Sequence, residues 1–262
     1  MAKGYDTDIL TYDVGIDFHR VPEGVIDRKI ARGTRNFLKE PAMTEEECLE
    51  AVDTGIRIAE QCFLQGYDII ATGEMGIGNT TTSTALLCAI TGFKPAGIVG
   101  KGAGLTEEGL KRKLRVIEEG LDLHFGKGSG EDLMPDEKVL GALAKVGGLD
   151  IAALTGLYIG GALYGIPVVI DGLISAVAAL IAEELKEGCR NFMIASHNGR
   201  EKGMTPILER LGLKAVLHAD LALGEGTGAL LLLPLLDMAL SLYRYGTVFD
   251  ETGIGRYERF EG

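Results

Sequence analysis

The chain alternates short apolar runs with glycine-rich loops and helical segments, and this order constrains the fold more than any other feature. Residues 68–72 form an apolar run that a glycine loop, residues 73–79, joins to a helix predicted over residues 80–90. Residues 166–171 and 191–196 are similar runs. Repeated strand, loop and helix units predict an α/β fold with a mostly parallel sheet and helices on both faces. Ligands of such folds bind beyond the carboxyl ends of the strands.

The remaining segments continue this pattern. The caps Thr44 and Thr106 predict helix starts, and Gly66 predicts the end of the first of these helices. Further elements are predicted as a strand at residues 8–14, a polar loop at 19–39, helices at 151–163 and 173–185 and from residue 229, and a flexible break at 126–135. Residues 1–262 are therefore expected to form a single α/β nucleotide-binding domain.

Charge and cysteine content exclude several classes of function. The chain carries 38 acidic and 26 basic residues, and this balance argues against a nucleic-acid-binding protein. Its four cysteines show no CxxC spacing and no neighbouring histidine cluster, which argues against a zinc site or a disulfide framework. We expect reduced thiols, no metal and a cytoplasmic protein.

Two apolar stretches bear on membrane association. Residues 151–163 and 229–240 are shorter than a bilayer-spanning helix, and the second contains Pro234 and Asp237. We interpret both as buried helices of a protein with no membrane partner. The polar start of the chain shows no signal peptide.

The first glycine loop is a candidate phosphate site. Its glycines, Gly73, Gly76 and Gly78, allow close approach of a ligand, and the helix start at Thr80 and Thr81 offers free amides and hydroxyls. No lysine precedes the threonines, so the loop is not a P-loop, which argues against a kinase. A tight structural turn remains the alternative. Glu74 in this loop suits ribose hydroxyls or is an ordinary solvated carboxylate.

The second glycine loop, residues 223–228, places Glu225 between glycines and before a very apolar helix. We expect this carboxylate to be partly desolvated, which would suit a general base, and the alternative is an ordinary acid of a first helical turn. Lys101 and Lys113 are both candidate phosphate cations. Asp171 is either a helix cap or a ligand contact, and His197 is interpreted as a structural residue.

Residues 73–81 read Gly-Glu-Met-Gly-Ile-Gly-Asn-Thr-Thr, and they resemble the signature of the nicotinate-nucleotide–dimethylbenzimidazole phosphoribosyltransferases. Other blocks resemble this family in the same order and cover nearly the whole chain: residues 26–30, 33–37, 41–43, 104–105, 112–113, 146–148, 151–154, 168–172, 195–197, 223–228 and 233–236. The resemblance implies a Rossmann-like fold, a homodimer and no cofactor. It also implies an inverting transfer of phosphoribose from nicotinate mononucleotide to a benzimidazole-type base.

The resemblance also implies roles for individual residues. Glu225 matches the general base and Glu74 the acid of the signature loop, while Lys113 matches the lysine of the phosphate cradle. The implied substrate site comprises Glu74, Gly76, Gly78, Asn79, Thr80, Thr81, Lys113, Asp171, Ser196, Leu223 and Gly224.

One difference from the family is expected to matter. The family begins with a further segment that contains a Pro-Pro-Gly-Ser-Leu-Gly-type motif and an Asp-His-Gly-type strand, and this sequence contains neither motif. In the family this segment contributes helices and part of the pocket for the incoming base. We therefore expect nucleotide binding to be retained and base binding to be impaired. A non-catalytic nucleotide-binding remnant or subunit is the alternative function.

Overall fold

The computed structural model describes residues 1–102, 104–126 and 136–247 of the chain. Its helices are α1 (Glu45–Leu64), α2 (Asn79–Thr91), α3 (Pro95–Ile98), α4 (Glu107–Phe125), α5 (Asp136–Val146), α6 (Leu149–Tyr164), α7 (Leu173–Leu185), α8 (Met204–Leu211) and α9 (Thr227–Tyr245). Its strands are β1 (Tyr12–Asp13), β2 (Ile26–Asp27), β3 (Ile70–Ala71), β4 (Val168–Ile170), β5 (Met193–Ala195), β6 (His197–Asn198) and β7 (Leu217–His218).

The strands pair in parallel, as the alternating pattern predicted. The order β3-β4-β5 forms the central sheet, and β1-β2 and β6-β7 form two small sheets. The paired segments are shorter than the apolar runs that predicted them. The strand predicted at residues 8–14 pairs over two residues, and its partner β2 lies inside the predicted loop at residues 19–39. A strand can pair only as far as its neighbour extends, so the two-residue partner limits β1.

Helices cover both faces of the central sheet. Val168 and Ile170 of β4 belong to the main core, while Val169 between them packs with Ala229 and Leu232 of α9. Successive side chains of a strand point to opposite faces, so the two clusters lie on opposite sides of the sheet. This confirms the prediction of an α/β fold with helices on both faces.

Several helix boundaries follow from local sequence. Thr44 and Glu47 form a capping box at the start of α1, Thr106 caps α4, and α7 has the predicted bounds. Helices α3, α5 and α8 were not predicted. Of the break predicted at 126–135, only Gly126, the C-cap of α4, lies within the described residues.

The prediction that both apolar stretches are buried helices is correct for α6 and wrong for α9. Helix α6 is buried along most of its length, whereas α9 buries only Gly228, Ala229, Leu232 and Leu233. The helix continues to Tyr245, beyond the predicted apolar stretch. Past Asp237, which accepts a hydrogen bond from Tyr5, the side chains of Met238, Leu242 and Tyr243 are exposed. By length and composition alone, α9 meets the requirements of a membrane-spanning helix.

Helices α1 and α6 pack through glycines. A Cβ atom at Gly156 of α6 would overlap the backbone carbonyl of Val52, and one at Gly55 of α1 would overlap that of Ala153. Backbone cannot move aside as a flexible side chain can, so these two positions require glycine.

Gly156→Ala is therefore expected to lower the free energy of unfolding by on the order of 1–3 kcal/mol, because the methyl group separates two packed helices. Gly141→Ala in α5 is the matched control, since a Cβ atom there meets nothing within 4 Å. The control is expected to stabilise by up to about 1 kcal/mol through helix propensity. Denaturant unfolding of both variants measures the difference, and equal stability of the two would contradict the packing interpretation.

Candidate active site

The predicted site residues gather at the carboxyl ends of the central strands. Glu74 lies three residues after β3, Asp171 directly follows β4, and Ser196 directly follows β5. The carboxyl ends of parallel strands share one edge of a sheet, where α/β folds bind their ligands. The glycine turn that carries Glu225 reaches the same edge.

The two glycine loops contact each other through their backbones. A Cβ atom at Gly73 would lie 2.9 Å from the Gly226 nitrogen and 3.0 Å from the Glu225 carbonyl carbon. Any side chain at Gly73 would therefore push the two loops apart. Glycine at this position allows Glu74 and Glu225 to be presented from adjacent loops.

Asp171 anchors the second loop. One oxygen of its buried carboxylate accepts a hydrogen bond from the Gly226 N–H at 3.0 Å, and the other accepts from the Ala229 N–H at 2.9 Å. The carboxylate therefore caps the start of α9 from β4, across 55 residues of sequence. Of the two interpretations left open by the sequence, this geometry supports the helix cap.

Ser196 and His197 are buried next to Ile170 of β4 and to Gly228 at the start of α9. The Ser196 hydroxyl donates to the carbonyl of Ile170 at 2.6 Å and lies 2.8 Å from Nδ1 of His197. Both side chains are buried, and a Cβ atom at Gly228 would overlap the imidazole ring. These contacts support the structural interpretation of His197.

Glu225 has a left-handed backbone, with φ 59° between Gly224 at 74° and Gly226 at 80°. For a residue other than glycine this conformation costs roughly 1–2 kcal/mol. The turn projects the Glu225 side chain from the end of the sheet, and the side chain is exposed. The expectation that Glu225 is partly desolvated is therefore wrong. Exposed Leu223 lies two residues before it.

The desolvated carboxylate is instead Glu74, which is half-buried. Its Oε2 atom accepts hydrogen bonds from the Gly76 N–H at 3.1 Å and from the Asn79 side-chain amide. Burial raises the pKa of Glu74, and the negative charges of Asp150 and Asp171 raise it further, against the opposing effect of the hydrogen bonds. A Cβ atom built on Gly224 would lie 3.8 Å from Oε1 of Glu74, so this second oxygen is next to the facing loop.

Lys113 of α4 is a buried cation whose ammonium group lies at the start of α2. Its Nζ donates to the Thr80 hydroxyl at 2.9 Å and to the Gly100 carbonyl at 3.1 Å, and burial lowers its pKa. Within the described residues it forms no ion pair, whereas Lys101 is exposed and pairs with Glu107. A buried cation without a carboxylate partner, beside the positive end of the α2 helix dipole, is suited to bind an anion. Lys113 is thus the better of the two candidates that the sequence left open.

Asp150, in the first turn of α6, is a site residue that sequence reasoning missed. Its Oδ2 atom accepts a hydrogen bond from the Asn79 amide at 2.8 Å. In sequence it is indistinguishable from any acid that favours a helix N-terminus. The four cysteines, by contrast, lie in the core as free, buried thiols at Cys48, Cys62, Cys88 and Cys189.

Comparisons with known proteins agree with this geometry. The family model DBI_PRT, described as a phosphoribosyltransferase, matches residues 1–254. The chain is 41% identical over 258 residues to the nicotinate-nucleotide–dimethylbenzimidazole phosphoribosyltransferase of Acetivibrio thermocellus, an alignment that covers 98% of this chain and 71% of that protein. The protein of the same name from Geobacter sp. strain M21 is 42% identical over 255 residues, 97% of this chain and 71% of the relative.

A solved structure is also similar. The crystal structure of CobT from Thermus thermophilus superposes with a TM-score of 0.86 at 39% identity, covering 98% of this chain and 74% of that one.

Proposed function

This chain belongs to the DBI_PRT phosphoribosyltransferase family, and we propose that it transfers phosphoribose from nicotinate mononucleotide to 5,6-dimethylbenzimidazole or a related base. The products are nicotinate and an α-riboside 5′-phosphate, the nucleotide used in cobalamin assembly. The observation that supports the proposal is the backbone contact of the two glycine loops, which brings the loops of Glu74 and Glu225 together at one edge of the sheet.

The first loop and α2 hold the nucleotide. The phosphate binds at the helix start formed by Gly78, Asn79, Thr80 and Thr81, where the Nζ atom of Lys113 supplies the positive charge. The ribose lies between this cradle and Glu74, whose Oε1 atom accepts from a sugar hydroxyl. Its Oε2 atom is already occupied by donors of its own loop, so the carboxylate is held in one orientation.

The second loop carries the chemistry. A ring nitrogen of the incoming base attacks C1′ with its lone pair, and the bond from C1′ to the pyridine nitrogen breaks with its electron pair leaving on nicotinate. The other ring nitrogen of the attacking base loses its proton to the Glu225 carboxylate. Attack on the face opposite the leaving group inverts C1′ from β to α. The aromatic base, when bound against Leu223 and Gly224, covers Glu225 from water, which favours proton transfer.

Assembly and location are part of the proposal. We expect a homodimer, as the family resemblance implies, and the exposed apolar side chains on the second half of α9 are the kind of surface that an interface covers. A cytoplasmic location is expected for an enzyme of nucleotide metabolism that needs no metal or cofactor. Light scattering of the purified protein measures the oligomeric state.

Incubation of the chain with nicotinate mononucleotide and dimethylbenzimidazole tests the proposed reaction. We expect nicotinate to appear only when both substrates are present, because the base is the nucleophile. Its release is expected to require a high concentration of the base, because the sequence lacks two motifs of the family segment that contributes to the base pocket. Chromatography of reactions with and without the base measures this dependence. Absence of nicotinate in both reactions, or equal release without the base, would contradict the proposal.

A further inference from the structure

The Asn79 amide bridges two carboxylates. Its Nδ2 group donates to Oε2 of Glu74 and, at 2.8 Å, to Oδ2 of Asp150. An amide nitrogen has two hydrogens, so these two bonds satisfy it. Asn79 is itself 9% exposed, which leaves little freedom for another arrangement.

Asp150 is held in place from both sides. A Cβ atom at Gly76 would overlap its Oδ2 atom, and one at Gly148 would lie 2.7 Å from Oδ1. The Ile151 N–H donates to Oδ1 at 2.9 Å. The carboxylate therefore lies directly against the signature loop, in a space that the two glycines leave open.

We propose that Asp150 is a positioning residue of this site. It holds the Asn79 amide in place, and Asn79 in turn fixes Oε2 of Glu74, so that Oε1 of Glu74 faces the ligand. Asp150 acts through Asn79 and touches no reacting atom. The expected effect of Asp150 on kcat/KM rests on the proposed function, whereas its expected effect on the titration of Glu74 does not.

The charge of Asp150 also acts on Glu74. The charged groups that act on Glu74 from neighbouring elements are Asp150 on α6 and Asp171 after β4. Like charges disfavour ionisation, so Asp150 raises the pKa of Glu74, in addition to the larger effect of burial. Removal of the Asp150 charge must therefore move the titration of Glu74 to lower pH.

Two variants separate charge from position. Asp150→Asn removes the charge and keeps an oxygen that accepts from Asn79, whereas Asp150→Ala removes both. Carbon-13 NMR of glutamate side chains, with the Glu74 resonance assigned by Glu74→Gln, is expected to show a lower titration midpoint in Asp150→Asn. The midpoint in Asp150→Ala is expected to be higher than in Asp150→Asn, because Asp150→Ala also frees Asn79, whose hydrogen bond lowers the pKa of Glu74. In steady-state kinetics, Asp150→Ala is expected to lose roughly tenfold to a hundredfold in kcat/KM, the cost of a misplaced group, and Asp150→Asn less.

Glu46→Gln and Glu46→Ala are the matched controls, since Glu46 is an exposed first-turn acid of α1 and is not among the charged groups that shift the pKa of Glu74. They are expected to change neither the Glu74 midpoint nor kcat/KM. An unchanged midpoint in both Asp150 variants would overturn the inference, as would full activity of Asp150→Ala in an otherwise active enzyme. If the unaltered chain does not turn over, the proposed function fails, and the NMR titration still decides the role of Asp150.

Discussion

Glu225→Gln is expected to lower kcat by roughly 10²–10⁴-fold, the usual cost of losing a general base. Nicotinate mononucleotide binding is expected to change little, because the proposed nucleotide site lies mainly on the first loop and Lys113. Glutamine has the size of glutamate and meets the same left-handed strain, so the turn is retained. Steady-state kinetics and calorimetry with the nucleotide measure the two effects separately.

Glu225→Gly tests the backbone strain at the same position through its effect on stability. Glycine adopts φ near 60° without cost, so this variant is expected to gain about 1 kcal/mol in stability while losing turnover. Asp220→Asn is the control, since Asp220 is an exposed acid a few residues earlier in the chain. A rate for Glu225→Gln near that of the unaltered enzyme would remove Glu225 from the mechanism.

Lys113→Ala is expected to weaken nicotinate mononucleotide binding about tenfold or more, since a charge-assisted hydrogen bond contributes roughly 1.5–3 kcal/mol. Binding of the unphosphorylated riboside is expected to stay unchanged, because it lacks the phosphate that we propose Lys113 binds. Calorimetry with both ligands measures the preference for the phosphate. Lys113→Met keeps apolar volume in the buried site and provides a second variant should Lys113→Ala unfold.

Lys111→Ala and Lys101→Ala are the controls for this prediction. Lys111 lies on the exposed face of α4, and Lys101 already pairs with Glu107, so neither change is expected to alter the preference. If Lys101→Ala reduced the preference for the phosphate and Lys113→Ala did not, the phosphate site would be assigned to the wrong lysine.

Local signals predicted the elements whose ends depend on nearby residues. Thr44 with Glu47, Thr106 and the apolar run of α7 each act within a few positions, and the structure confirms them. The gathering of Glu74, Asp171 and Glu225 at one edge was predictable because the carboxyl ends of parallel strands share one edge of the sheet.

Features that depend on distant partners could not be predicted in this way. The length of β1 depends on β2, the exposure of α9 depends on what packs over it, and the burial of Glu74 rather than Glu225 depends on the contact between two loops. Asp150 reaches Asn79 from 71 positions away in sequence, and no local pattern marks such a contact.

Product analysis tests the central claim, that the two facing loops catalyse direct displacement of nicotinate from C1′ by the incoming base. Nuclear magnetic resonance of a reaction containing nicotinate mononucleotide and dimethylbenzimidazole identifies both the new nucleotide and its anomeric configuration. The account predicts one α-riboside 5′-phosphate for each nicotinate released. Release of nicotinate with free ribose 5-phosphate, or formation of the β-riboside, would contradict it.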